Sequence, residues 1–336
     1  MELADQQILI TGVTGFIGRH VAERLLKDKL GAVRGLARDP AKARELAGMG
    51  MEVVAGDLRD PASLQRAVQG CGVVINCAAQ VAAVAERRAF EDSNVAGTEN
   101  LLRASAIAGV RRFVHLSSVA VFGLAVSGEV QDHSPRRHSG DAYCDTKLDS
   151  EEIVLRYHAE GRVPVAVLRP SMVYGPGSTY MTVIPLKRLK KGKLFVLAGG
   201  RGNLNYVYID NLGDAVLRAA EDDRALGGAF IVNDGVTTWR QFYDAYARMA
   251  GRKPVRSVPL WQARLWARYR NLLAALRRET YRVSPNGLGF LTTTAVFRQT
   301  HLEQTLGYRS RVNLEEGLRR TEAWCRQVGL VQSSDK

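Results

Sequence analysis

At 336 residues, 46% hydrophobic and 24% charged, the chain is long enough for a large core and has the balance of a globular protein, not a disordered or fibrous one. No apolar run reaches the roughly 18 residues that a membrane-spanning helix needs, and the polar, acidic start MELADQQ argues against a secretory signal. The net charge of +13 suits anionic partners, but the basic residues are spread out, with local clusters such as KRLKKGK at 187–193. They carry no nucleic-acid motif, so no nucleic-acid partner is expected.

In chain order, QILITG predicts a strand and GRHVAERLLKD an amphipathic helix. AVRGLAR, MEVVAGDL, GVVINCAA, RRFVHLSS and VPVAVLRP predict five further strands. Helical stretches lie between them at PASLQRAVQG, NVAGTENLLRASAIAG and AYCDTKLDSEEIVLRYHAEG. Nearly continuous apolar strands separated by helices predict a parallel sheet covered on both faces, an α/β doubly wound core of the Rossmann type. After Pro170 the rhythm changes. NYVYIDNLGDAVLRAAED predicts one more strand and helix returning to the core, and from about Thr237 the chain is mostly helical. The expected organisation is a Rossmann domain over 1–175, with 205–235 returning to it. Segments 176–204 and 236–336 form a smaller, mostly helical substrate lobe.

Gly12, Gly15 and Gly18 sit at the first strand–helix junction, in TGVTGFIG. A helix N-terminus offers unpaired N–H groups and a positive dipole end, and glycines let the backbone approach a pyrophosphate closely. Gly12 would make the turn, Gly15 the close approach and Gly18 the helix–strand packing. Pure turn chemistry is the alternative. The second strand ends in LARDP, which places Arg38 where the adenosine ribose is read. An arginine there suits the 2′-phosphate, favouring NADP(H) over NAD(H). Asp57, after the third strand, could accept from the adenine amino group or, like Asp60, cap the next helix.

YCDTK places Tyr143 and Lys147 four residues apart on one helical face. A phenol titrates near pH 10, so it needs a nearby cation to act as a proton carrier near neutrality. Lys147 supplies that charge and could also hold the nicotinamide ribose. Ser118 ends the fifth strand, at the edge where open α/β sheets bind ligands, and could hydrogen-bond the substrate oxygen. The catalytic set read from the sequence is therefore Ser118, Tyr143 and Lys147.

Taken together, TGVTGFIG, GDL, NCAA, NVAGTENLL, SSVAVFG, YCDTK, LRPSMVYGPG and YVYIDNLGDA give the chain its resemblance to the extended short-chain dehydrogenase/reductases. This is the superfamily of NAD-dependent epimerases and dehydratases, and the pattern is closest to its 3β-hydroxysteroid dehydrogenase and ketoreductase branch. The resemblance implies cofactor binding by Gly12, Gly15, Phe16, Ile17, Gly18, Arg38, Asp57, Leu58, Ala78, Ala79, Tyr143, Lys147 and Pro170. It implies that Asn94 supports the site, with bonding to neighbouring backbone as the alternative, and it implies a homodimer built through ENLLRASAIAG and DSEEIVLRYHAEG.

Sugar-nucleotide members often carry a pattern like RDFVYVDD, whose arginine grips a diphosphate. Here LNYVYIDN puts Leu204 and Asn211 at the departing positions, and Val119 and Ala120 follow Ser118 where dehydratases tend to carry Asp–Glu. The expected function is an NAD(P)(H)-dependent oxidoreductase interconverting a secondary alcohol and a ketone on a fairly apolar, sterol-like or acyl substrate. A nucleotide-sugar epimerase or dehydratase with retained cofactor is the alternative, and a non-catalytic cofactor-binding regulator is the third.

Two side features complete the reading. Residues 260–278 place Trp261, Leu265, Tyr269, Leu272, Leu273 and Leu276 near one helical face, with Arg264, Arg268 and Arg278 adding charge. Such a stripe packs on the core, covers the substrate cleft or lies on an anionic membrane surface. The cysteines Cys71, Cys77, Cys144 and Cys325 form no CxxC pair, and the histidines do not join them at ligand spacing. Reduced thiols, no metal and a cytoplasmic location are therefore expected, with Cys144 in a packing role.

Overall fold

The computed structural model describes residues 1–81, 86–277 and 285–332. Its centre is a seven-stranded sheet. The strands are β1 (Gln7–Thr11), β2 (Ala32–Ala37), β3 (Glu52–Ala55), β4 (Val73–Asn76), β5 (Arg112–Leu116), β6 (Val165–Pro170) and β7 (Ala229–Val232). Their spatial order is β3-β2-β1-β4-β5-β6-β7, every pair parallel. The order reverses between β1 and β4, which opens a crevice at their carboxyl ends.

Alternation along each strand feeds two apolar layers. Ile8 and Ile10 of β1 join Val21, Leu25, Leu212 and Val216 on one face. Leu9 turns the other way, toward Leu64, Leu101, Leu102 and Val154. Both faces are thus dry, and this is why β4, β5 and β6 are buried along their whole length.

One sequence expectation is corrected here. Asn203–Tyr208 is a strand, but it does not return to the central sheet. It pairs with Met172–Tyr174 and Gly235–Thr238 in a separate three-stranded sheet. The helix after it, Ile209–Glu221, does pack on the core, and Ala229–Val232 supplies the seventh strand. An apolar run fixes burial and not its partner: Tyr206 and Tyr208 pack with Tyr174, Phe242 and Tyr246 in an aromatic cluster of their own.

Asn211 ties this second sheet to the C-terminal segment. Its Nδ2 donates to Asp234 Oδ2 at 2.7 Å and to Val312 O at 2.8 Å, and its Oδ1 accepts from the backbone N–H groups of Arg311 and Val312. The amide that breaks the sugar-nucleotide pattern is thus a fully used buried clamp.

Candidate active site

The glycine turn follows β1. Gly12 has φ 71°, a left-handed conformation that side-chain-bearing residues adopt only with strain. A Cβ at Gly12 would lie 2.9 Å from Ala78 N, and one at Gly18 would lie 2.4 Å from Gly12 O. Gly12 therefore makes the turn, and Gly18 lets the Phe16–Asp28 helix press against it. A Cβ at Gly15 would meet only Gly12 O within 4 Å. That helix has Gly15 as its N-cap, with no side-chain cap and no acid in its first turn. Its leading N–H groups and positive dipole end are left for an anion, the arrangement a dinucleotide pyrophosphate fits. Beneath the turn, Thr11 Oγ1 donates to Asn76 Oδ1 at 2.6 Å and accepts from Ala78 N at 3.2 Å, fixing β1 to the end of β4.

The ends of β2 and β3 lie along the same sheet edge. Arg38 is exposed there and forms no ion pair among the described residues. Asp57 is held by Arg59, with Nη2 2.7 Å from Oδ2, a cation that sequence reading passed over. That bond keeps the Asp57 carboxyl below its ordinary range. Of the two proposed caps, Asp60 is the one that forms: its Oδ1 accepts from Ala62 N at 3.1 Å at the start of the Pro61–Val68 helix.

Asp141 caps the Ala142–Ala159 helix by accepting from Tyr143 N and Cys144 N, both at 3.1 Å. Tyr143 and Lys147 follow one turn apart on one face. Ser118 leaves β5 as the cap of a short turn, its Oγ accepting from Ala120 N at 3.2 Å. Burial pushes the Tyr143 phenol up to about 12 against the opposing pull of the Ser118 hydroxyl, so it holds its proton across the neutral range. Burial also draws the Lys147 ammonium down to about 8, although Glu151 and Cys77 oppose the shift. Lys147 Nζ donates to the Leu116 carbonyl at the end of β5. Asn94 accepts from Gln80 N at 2.7 Å and donates to Thr146 Oγ1 at 3.1 Å. It thereby bonds neighbouring backbone and also steadies the helix that carries Tyr143. Cys144 is buried, in line with its packing role.

These groups open on one cavity of about 670 Å³. Gly12, Gly15, Phe16, Ile17 and Gly18 line one part, with Ala79 beside them; Ser118, Tyr143, Lys147 and Pro170 line another. Arg38, Asp57, Leu58 and Ala78 are not in its wall. Leu58 is buried, with its carbonyl accepting from Asn100 Nδ2 at 3.1 Å. Sequence reading missed Ser171, whose buried hydroxyl has no hydrogen-bond partner among the described residues and lies in the cavity wall; its place after Pro170 in LRPSMVYGPG was the available signal. It also missed the apolar wall of Val81, Leu124, Val126, Met181, Phe290 and Phe297, which no local motif marks.

A profile of the NAD dependent epimerase/dehydratase family matches residues 8–233. The chain belongs to this family. Its epimerase/dehydratase relatives differ in chemistry. A 4-hydroxy-2-methyl-3-oxo-4-farnesyl-3,4-dihydroquinoline-1-oxide ketoreductase from Stigmatella aurantiaca is 28% identical, over 92% of this chain and 93% of that one. A UDP-glucose 4-epimerase from Vibrio cholerae is 26% identical, over 94% of each. An Arabidopsis thaliana 3beta-hydroxysteroid-dehydrogenase/decarboxylase is 26% identical over 94% of this chain, which spans 61% of that protein's length. Among solved structures, gox2253 superposes with a TM-score of 0.80 at 26% identity, covering 98% of this chain and 100% of that one. The Thermus thermophilus UDP-glucose 4-epimerase complex with NAD gives 0.76 at 26% identity, covering 95% and 99%. Family membership makes this epimerase/dehydratase-family protein an oxidoreductase-type enzyme with an NAD(P)-type cofactor.

Proposed function

We propose that the protein is an NADP(H)-linked alcohol dehydrogenase or ketone reductase acting on a fairly apolar substrate. The observation that carries this reading is the wall of the cavity. Among the described residues lining it, only Asp141 and Lys147 are charged, and no arginine is present. A nucleotide sugar brings a second diphosphate beside the cofactor's, and with the helix N-terminus at Gly15 taken by the cofactor that second one would call for cations of its own; a hydrocarbon-rich ketone needs apolar walls and a few placed polar groups. Leu204, at the departed arginine position, is buried and outside the cavity.

The residues divide the work. Gly12, Gly15 and Gly18, with the helix N-terminus behind them, hold the pyrophosphate; Lys147 holds the nicotinamide ribose. The bound cofactor supplies hydride exchange with a carbonyl carbon. Ser118 donates to the carbonyl oxygen and fixes its position, and Tyr143 passes its phenolic proton to that oxygen. Lys147 offsets the negative charge left on the phenol. The expected result is net NADPH consumption with apolar ketones, with exchangeable cofactor. Interconversion of nucleotide sugars on tightly retained cofactor, without net consumption, would establish the epimerase reading in its place.

The preference for NADP(H) rests on Arg38, exposed at the end of β2 and in no ion pair among the described residues. Arg38→Ala is expected to weaken NADPH binding about tenfold or more, the worth of a lost charged hydrogen bond, and to leave NADH nearly unchanged. Fluorescence titration with both nucleotides measures this, and equal losses for both would remove the assignment. The same reading includes a homodimer through the Gly97–Ile107 and Ala142–Ala159 helices, which pack side by side and leave Ile107 exposed. It also includes a cytoplasmic setting, in keeping with four unpaired thiols.

A further inference from the structure

The Leu260–Leu276 helix is built the opposite way from an ordinary surface helix. Its inward face is Ala263, Ala267 and Ala274, all buried. At roughly 100° per residue these three fall within a sector of about 40°. Trp261, Leu265, Tyr269, Leu272 and Leu276 fall on the opposite side, within about 80° of one another. They are between 58% and 73% exposed, and Trp266 beside them is 56% exposed. Of the sequence readings, packing of the large apolar stripe on the core is therefore overturned: small residues face in and large ones face out.

The charge pattern identifies the occupant. Arg264 and Arg268 are exposed and run along one margin of the stripe, with no acidic residue anywhere in the helix. Arg252, Lys253 and Arg256 are exposed just before it. Arg278, the last residue of the predicted stretch, lies outside the described residues. A second copy of this face would set arginine against arginine. An anionic bilayer satisfies both features, because acyl chains take the apolar stripe and headgroup phosphates take its basic margin and the cations just before the helix. We propose that this helix docks the protein in the plane of an anionic membrane surface. No helix among the described residues is long and apolar enough to cross a bilayer, so the contact lies on the membrane and does not span it.

The position gives the contact a use. The helix packs on Pro285–Phe290, and Phe290 lines the cavity that holds Tyr143. Val81 and Tyr180 line the same cavity and are exposed. On the reading of an apolar substrate, which this one consequence assumes, a lipid-dissolved ketone would enter from the surface the helix rests on.

The full-length protein is mixed with vesicles of phosphatidylcholine alone or with phosphatidylglycerol added, at low and at high salt, and sedimented. Co-sedimentation is expected with the anionic vesicles, accompanied by a blue shift of tryptophan emission from Trp261 and Trp266. Weakening of about fivefold is expected for each of Arg264→Ala and Arg268→Ala. A Trp261→Ser, Leu265→Ser, Tyr269→Ser triple variant should keep the wild-type melting temperature and its turnover of a short water-soluble ketone, yet lose vesicle binding. Absence of binding at low salt, equal binding to neutral vesicles, or self-association that the triple variant abolishes would each overturn the proposal. Vesicle binding without any ketone turnover would leave the docking standing and remove the apolar-substrate reading alone.

Discussion

Tyr143→Phe is expected to lower kcat for ketone reduction by about 10² to 10⁴-fold, the usual worth of a positioned general acid. The phenol is buried and pushed up to about 12, so wild type presents a protonated donor through the neutral range. Phenylalanine keeps the ring and loses the proton. The ring's place on the capped helix is set by Asp141, whose bonds go to the backbone N–H groups of Tyr143 and Cys144 and survive the change. On the proposed assignment of cofactor binding to the glycine turn and Lys147, that binding should stay within about twofold, and the loss should fall on kcat and not KM. Stopped-flow turnover beside a cofactor titration separates the two. Full turnover in the variant would remove Tyr143 as proton donor.

The grouping of the candidate residues was readable because it is local. The Gly12–Gly18 turn needs one strand end and one helix start, and Tyr143 and Lys147 need one helical turn; each lies within a window that sequence periodicity resolves. The apolar wall is different. Val81, Val126, Met181 and Phe290 come from four separate stretches of chain that only the topology brings together. The strand at Asn203–Tyr208 was visible as a strand but not as a member of a second sheet, because an apolar run does not name its partner. The Leu260–Leu276 helix failed in a similar way: its stripe has the same period whether it faces the core or the solvent. The alanines at 263, 267 and 274 held the answer, since small residues allow close approach on the side that packs. Glu151 was overlooked although its spacing was in view, eight residues after Tyr143 and four after Lys147, on the same face.

Glu151→Ala is expected to destabilise the protein by about 3 to 5 kcal/mol, the cost of leaving a buried cation without its partner. Glu151 has no exposed surface. Its carboxylate accepts from Arg169 Nη2 at 2.6 Å, from Ser117 Oγ at 2.6 Å and from Arg136 Nη1 at 2.8 Å. Arg169 is itself 3% exposed; beyond Glu151 it donates to the Asp132 carbonyl at 2.7 Å, lies 4.0 Å from the Asp132 carboxylate and sits over the Phe122 ring at 5.2 Å. Glu151→Gln keeps the volume and some of the hydrogen bonds, so it should cost less; denaturant unfolding measures both. The pH dependence distinguishes a lost ion pair from a simple cavity. Burial alone would raise the Glu151 carboxyl, but Arg169, Ser117 and Arg136 outweigh it and hold the group below its ordinary value. The folded state therefore binds this proton less readily than the unfolded chain. The stabilisation is complete above the ordinary carboxyl range and fades as pH falls through the lowered value. The gap between wild type and Glu151→Ala should accordingly be widest near pH 7 and shrink on acidification, because protonated Glu151 also leaves Arg169 with only the more distant Asp132 carboxylate as counter-charge. A gap that stays constant into acid would mean that the carboxylate contributes packing alone. Lys147 would then owe its place between β5 and the Ala142–Ala159 helix to the Leu116 carbonyl and not to the acid one turn below it.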